Sequence, residues 1–364
     1  MGRWKIGSFT AALGCIALGI IVGLAQYDVV TYAALGYLWP ALLILFGLEM
    51  LIRLFIKSDV KSRVSGWAVL LIILLVAASG AQSVLLGDSS LSSLFNNKQL
   101  APLSGTVEVK ATIKTVKIVL PNGKVKVDGV DGSTLKYEGS LLVSGSSESE
   151  AASTLEKKWK VTTDGDTLVM ELNEESNWLS NLQFGFNSKN PFLNVTVPSN
   201  LTVEVETSDG SIEAQSLKSG IEADTSNGVL DIHDIAGGVE AHSSNGTITV
   251  QNIQGEVELV SSNGAVTLSN IDGSLSAKSS NGKISINSAV TGDWKCTTSN
   301  GKIVIELPAV SDAKITADTS NGSLNGNLPW DREGDSHGTA QLGSGTHSID
   351  LSTSNGSVTV DTAK

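Results

Sequence analysis

Cysteine is nearly missing from this chain: Cys15 and Cys296 are the only two among 364 residues. One lies in an apolar run and the other in a column of apolar residues, which excludes a disulfide framework and a cysteine-based metal cluster. Histidines are scarce too, and His233, His242 and His347 stand at no metal-ligand interval. The stretch holding Asp331, Glu333, Asp335 and His337 reads as a polar surface loop. There is no Gly-x-Ser-x-Gly elbow, no phosphate-binding loop and no Cys, His and Asp set in a suggestive order. No catalytic residue, cofactor or metal is therefore expected.

Positive charge is also in short supply. Residues 1–87 hold six of the 25 Lys and Arg and three of the 37 Asp and Glu, a net of +3. The 19 basic and 34 acidic residues that remain leave −15 for everything beyond. A domain so acidic repels phosphates, which excludes nucleic acid as a partner.

What the sequence does have is a recurring triplet. Ser-Asn-Gly ends at Gly228, Gly246, Gly264, Gly282, Gly301, Gly322 and Gly356, with Ser208-Asp209-Gly210 ahead of them. The intervals from Gly210 are four of 18, then 19, 21 and 34. So short a period points to stacked units. Aligned on the glycine, two columns before it are wholly apolar: Val203, Ile221, Val239, Val257, Leu275, Trp294, Ile315 and Ile349, then Val205, Ala223, Ala241, Leu259, Ala277, Cys296, Ala317 and Leu351. Two more columns follow it, beginning at Ile212 and Ala214, and polar residues alternate with them as in a strand with one buried face.

Asn-Gly suits a tight turn because both residues accept positive φ, so each unit reads strand, turn, strand, with a second turn around Asn252 to Gly255 and Asn270 to Gly273. The expected fold is an all-β solenoid, a β-helix or β-roll of about 18 residues per coil, with asparagine amides in hydrogen-bonded ladders. Regular repeats span 201–364 and less regular first coils 104–200. Within the latter, 146–158 reads as a surface helix, 168–172 as a strand, and Trp178, Phe184 and Phe186 as part of a cap over the first coil.

The amino-terminal region is of another kind. Three apolar runs, 6–25, 32–51 and 67–86, are long enough to span a bilayer. Glu49 and Arg53 stand four apart near the end of the second run and are expected to pair at the interface. All six basic residues lie in the amino-terminal tip and the 53–63 loop, while the 26–31 loop has none. The tip and that loop then face the cytoplasm, and three crossings put the rest outside. The expected organisation is a three-helix transmembrane region over 1–87, a Ser- and Asn-rich linker over 88–103 and the solenoid over 104–364.

The glycine-spaced Leu13-Gly14 and Leu18-Gly19 pattern, with the run from Trp39-Pro40 through Phe46-Gly47-Leu48, resembles the transmembrane region of LiaI- and LiaF-type bacterial envelope-stress proteins. Leu193-Asn194-Val195-Thr196-Val197-Pro198, the following Leu201 to Val205, the triplets and the closing 342–358 stretch resemble the "putative adhesin" family of bacterial β-strand-repeat domains. The resemblances imply a bacterial plasma-membrane setting and a solenoid of β-strands with no assigned activity; with the three crossings counted above, the expected location is the plasma membrane, multi-pass, with the solenoid extracytoplasmic.

Between the first two apolar columns, the outward positions read Glu204, Glu222, Glu240 and Glu258, then Ser276, Lys295, Thr316 and Asp350, with Glu206 and Asp224 adding to the acidic patch. These four glutamates are the candidate interaction strip, suited to divalent cations or a cationic surface ligand. The expected function is non-enzymatic: interaction, or envelope-stress sensing or regulation, with the bilayer and other envelope membrane proteins as partners. A surface adhesin is one alternative. A carbohydrate-active enzyme using the Glu column is another, opposed by the lack of Arg or Lys near those carboxylates in the sequence.

Overall fold

The computed structural model describes residues 10–17, 42, 44–49, 98–145, 147–173 and 190–363. Of the three expected spans only 10–17, 42 and 44–49 are described; the third span, Arg53, Trp178, Phe184 and Phe186 lie outside the described residues. Among the described residues no helix is long and apolar enough to cross a membrane. In the unit formed by Met1–Asn97, Glu49 accepts hydrogen bonds from Thr10, at 3.2 Å from its N–H and 2.8 Å from its hydroxyl.

The second unit, Lys98–Lys364, is almost entirely β. Each coil contributes one strand to a 13-stranded sheet and one to a 12-stranded sheet, parallel to its neighbours. Ile221 pairs with Val203 on one side and Val239 on the other, and Leu230 with Ile212 and Ile248, so the 18-residue period becomes a register of one rung. Both apolar columns before the turn point inward, with no residue in them more than 3% exposed. Cys296 fills a core position, and burial pushes its thiol up to about 12, which leaves it inert.

The glycine of the triplet has a different role from the one its sequence suggests. None of Gly228, Gly246, Gly264 or Gly282 has positive φ; among the described residues the non-glycine positions with positive φ are Ser216, Asp234, Asn252 and Asn270, all in the second turn. Glycine is required at the first turn because successive coils touch there, backbone to backbone. A Cβ on Gly264 would sit 1.7 Å from the carbonyl oxygen of Gly246. Three residues before each glycine stands a buried hydroxyl, as at Thr225, Ser243, Ser261 and Ser279. Ser243 Oγ accepts from the Gly246 N–H at 2.9 Å and donates to the carbonyl of Gly228 at 3.2 Å, so one side chain closes its own turn and ties it to the coil before.

The asparagine ladder forms as expected. Asn227 donates to Asp209, Asn245 to Asn227, Asn263 to Asn245 and Asn281 to Asn263, at 2.7 to 2.8 Å. Asn300, Asn355 and Asn321 continue it, in that order. A shorter ladder in the second turn runs from Asn270 through Asn252 to Asp234. Both ladders end on a carboxylate, which accepts a bond and has no donor left to satisfy.

The order of coils differs from the order of the chain at both ends. Strand His347–Thr353 lies between Trp294–Thr298 and Ala313–Thr319, and Val358–Thr362 lies between Ile303–Leu307 and Leu324–Asn325. The last coil is thus inserted one rung inside the coil that precedes it in sequence. At the other end, Thr115–Asn122 and Lys124–Val130 lie between Thr167–Leu172 and Phe192–Pro198 on one side and Thr202–Asp209 and Ile212–Gln215 on the other. Residues expected to form irregular first coils therefore include a coil in full register, with Val116 beside Val203.

Antiparallel strands close both sheets at one end, Lys98–Glu108 with Thr134–Ser144 and Trp159–Asp164 with Thr167–Leu172, and the 13-stranded sheet at the other, His337–Leu342 with Asp331–Glu333, while the 12-stranded sheet ends there on Leu324–Asn325. Such closure limits the unpaired edge a parallel stack would otherwise offer. The expected linker stops short of residue 103, because 98–103 belong to the first strand, where Ala101 is fully buried. Pro102 is compatible with that strand because it forms the edge of its sheet. The surface helix appears as Glu148–Lys158, capped by Ser147 and packed through Ala151 and Leu155.

Replacing Gly264 with alanine is expected to lower stability by about 3 kcal/mol or more, because the clash is with backbone that cannot swing aside. Denaturant unfolding of the purified variant checks it; a loss below about 1 kcal/mol would contradict the close approach of coils.

Candidate functional site

The parallel register brings the four glutamates together as a ladder on the solvent face of the 13-stranded sheet. Glu222 is flanked by Glu204 and Glu240, and Glu240 by Glu258. Adjacent rungs are about 4.8 Å apart. Two residues further along each strand, Glu206, Asp224 and His242 form a second row. The inward neighbours Val203, Val205, Ile221 and Ala223 are buried, so alternation fixes the carboxylates outward.

Burial and the carboxylates of Glu240, Asp224 and Glu204 raise the pKa of Glu222, partly offset by Lys117. Lys117 occupies the rung beside Glu204. Its ammonium bonds Glu206, which chiefly raises its own pKa, and lies 3.5 Å from Glu204. No sequence pattern links this cation to the strip, since 89 residues separate it from Glu206. The expectation that no Lys or Arg stands near the strip is thereby corrected. Imidazole supplies a second link, with His242 Nδ1 at 3.0 Å from Asp224 and Nε2 at 3.8 Å from Glu240.

The patch has limits. Beyond Glu258 the same row continues with Ser276, Lys295 and Asp350, and the second with Val260 and Lys278. Beside the acidic rungs, at the turn edge, runs an open groove of about 560 Å³. Glu206, Asp224 and His242 line it with the exposed serines Ser208, Ser226 and Ser244, and Leu120 and Leu172 are part of its apolar lining.

Other candidate positions separate. His337 pairs with Asp318, and that carboxylate raises its pKa. His233 pairs with Asp234. Among the described residues no group of three or more His, Cys, Asp or Glu could hold a metal ion. The strip offers a linear array of negative charge on a rigid support, suited to attracting cations and poor in groups that move protons.

The family model described as Toastrack DUF4097 matches residues 143–361, and the LiaF transmembrane domain model matches residues 10–92, which assigns a membrane anchor to the first quarter of the chain. Both resemblances read from the sequence hold. No curated protein matches the chain. Similar solved structures include a putative cell adhesion protein from Clostridium sporogenes, at 14% identity and TM-score 0.26, covering 72% of this chain and 100% of the other. A putative adhesin from Bacteroides fragilis is 13% identical with TM-score 0.33, and a putative lipid binding protein from Parabacteroides distasonis is 13% identical with TM-score 0.37. Each covers 72% of this chain and is itself covered over 97% of its length.

The raised pKa of Glu222 gives a prediction with a definite sign. Its contribution to stability is present below the ordinary carboxylate range and is lost as pH rises through the raised value. Glu222→Gln is therefore expected to raise the melting temperature at neutral pH by about 1–2 °C, with the gain fading in acid. Thermal melts across pH check it, and an equal gain at acid pH would contradict it.

Proposed function

The chain belongs to the Toastrack DUF4097 family, and from that premise we propose a membrane-anchored protein of the bacterial cell envelope whose extracytoplasmic solenoid binds a cationic partner along the Glu204, Glu222, Glu240 and Glu258 strip. It works by interaction, in sensing or regulating envelope stress, and not by catalysis. The observation that carries this reading is the register: four carboxylates on successive rungs face solvent, supported by a core that cannot shift them independently. Keeping like charges adjacent costs stability, and an opposite charge on a partner relieves that cost.

The orientation rests on charge. Confinement of the six Lys and Arg of residues 1–87 to the tip and the 53–63 loop supports a solenoid outside the cell after three crossings. The partner fitting the strip is an extended segment with several positive charges, from another envelope protein or the cell surface.

Full-length protein in nanodiscs, titrated with a labelled oligolysine peptide, tests the binding. Wild type is expected to bind with an affinity that falls as salt rises, and the variant with all four glutamates changed to glutamine to bind at least about tenfold more weakly. Equal affinities would overturn the assignment. Deletion followed by cell-wall antibiotic challenge separates stress regulation from adhesion, since only regulation predicts an altered induction of the stress response.

A further inference from the structure

The sequence contains nine Asn-Gly pairs, and the fold does not treat them alike. Asn-Gly is chemically labile because the glycine nitrogen, with no Cβ beside it, can attack the asparagine side-chain carbonyl carbon. The N–Cγ bond forms, the amide nitrogen leaves as ammonia, and water opens the resulting ring to aspartate or isoaspartate. The net change consumes one water, releases one ammonia and involves no oxidant.

On the inner rungs two contacts oppose that attack. The glycine N–H is donated to the hydroxyl three residues earlier, at 2.9 Å for Gly246, 3.0 Å for Gly264, 2.8 Å for Gly282, 3.1 Å for Gly301 and 3.2 Å for Gly356. The asparagine amide is also held at both ends, as Asn263 is by donating to Asn245 and accepting from Asn281. The attacking atom keeps its proton engaged and the target carbon is fixed in the ladder.

The terminal coil, formed by Ala313–Thr319 and Leu324–Asn325, lacks both. Asn321 donates to Asn355 at 2.9 Å, but no further asparagine donates to it. Thr319 turns its hydroxyl to the carbonyl of Gly356 at 2.8 Å, and the Gly322 N–H has no acceptor among the described residues. Four residues on, Asn325 bonds only Ser323 nearby, through its carbonyl and its hydroxyl, and the Gly326 N–H is equally free. Asn227 keeps the ladder without the glycine contact, and Gly123 keeps a 3.4 Å bond to Asp209 without a ladder, so each retains one guard.

We propose that the terminal coil is a site of spontaneous deamidation, at Asn321-Gly322 and Asn325-Gly326, while the inner triplets are protected. The ladder has a direction that makes the product matter. A carboxylate fits at Asp209, where it only accepts; at 321 it would replace the donor facing the Asn355 oxygen and set two acceptors against each other. Isoaspartate would also lengthen the main chain beside the 2.8 Å bond from Asn321 N–H to the carbonyl of Ser354. Modification therefore frays the coil whose strand Leu324–Asn325 ends the 12-stranded sheet.

Incubation of the full-length protein in nanodiscs at mildly alkaline pH, with timed peptide mapping by mass spectrometry, tests this. The peptide holding Asn321 and Asn325 is expected to convert at least about tenfold faster than those holding Asn245, Asn263 or Asn281. Uniform conversion, or faster conversion of an inner triplet, would overturn the proposal. In Ser243→Ala, which frees the Gly246 N–H, Asn245 is expected to convert faster while Asn321 is unchanged. An unaltered Asn245 rate in that variant, with its β-sheet circular dichroism retained, would overturn the protective role of the hydroxyl.

Discussion

The structure depends on one close approach. At the Ser-Asn-Gly turn, the Cα of each glycine lies against the carbonyl of the glycine one coil away, too close for any side chain to intervene. That contact sets the rung spacing on which the hydroxyl row, the asparagine ladder, the aliphatic columns and the acidic strip all rely. Directional bonds at the turn fix register, and burial of aliphatic side chains drives the stacking. With register fixed, outward residues 18 apart become neighbours whatever their mutual repulsion.

Much of this was legible because the repeat writes one rung many times. The apolar columns, the asparagine ladder and the glutamate alignment follow from the repeat period and from period-2 alternation counted from the glycine, while the helix, read over 146–158 and found at Glu148–Lys158, follows from its Ser-, Glu-, Ala- and Lys-rich composition. The glycine's role was not legible, because a residue that frees φ and one that admits a neighbouring backbone look alike in sequence. Nor was the coil order. Val358 and Leu324 occupy equivalent columns, and nothing in an equivalent column says which coil lies inside the other. Lys117 was missed for the same reason: only once its coil is placed beside Glu204 does a residue from an irregular segment enter the strip.

Function and durability then draw on opposite features of one fold. The middle rungs, doubly bonded and wholly in register, hold like charges together at the strip. At the ends the ladder runs out, and its direction decides what each end tolerates, with Asp209 as a stable terminus and Asn321 as an exposed donor. Insertion of the first and last coils one rung inward leaves antiparallel strands to close the 13-stranded sheet at both ends and the 12-stranded sheet at one, with Leu324–Asn325 at its other edge.

The most direct measurement is of coil order at the carboxy-terminal end. Lys295 pairs with Asp350, while Thr316 lies one rung further out beyond Asp350. Under mild oxidation, Lys295→Cys with Asp350→Cys should form a disulfide, since neighbouring rungs are about 4.8 Å apart, whereas Lys295→Cys with Thr316→Cys, about two rungs apart, should not. Cross-linking of the 295 and 316 pair in place of the 295 and 350 pair would mean that the coils stack in chain order, contradicting the inserted last coil.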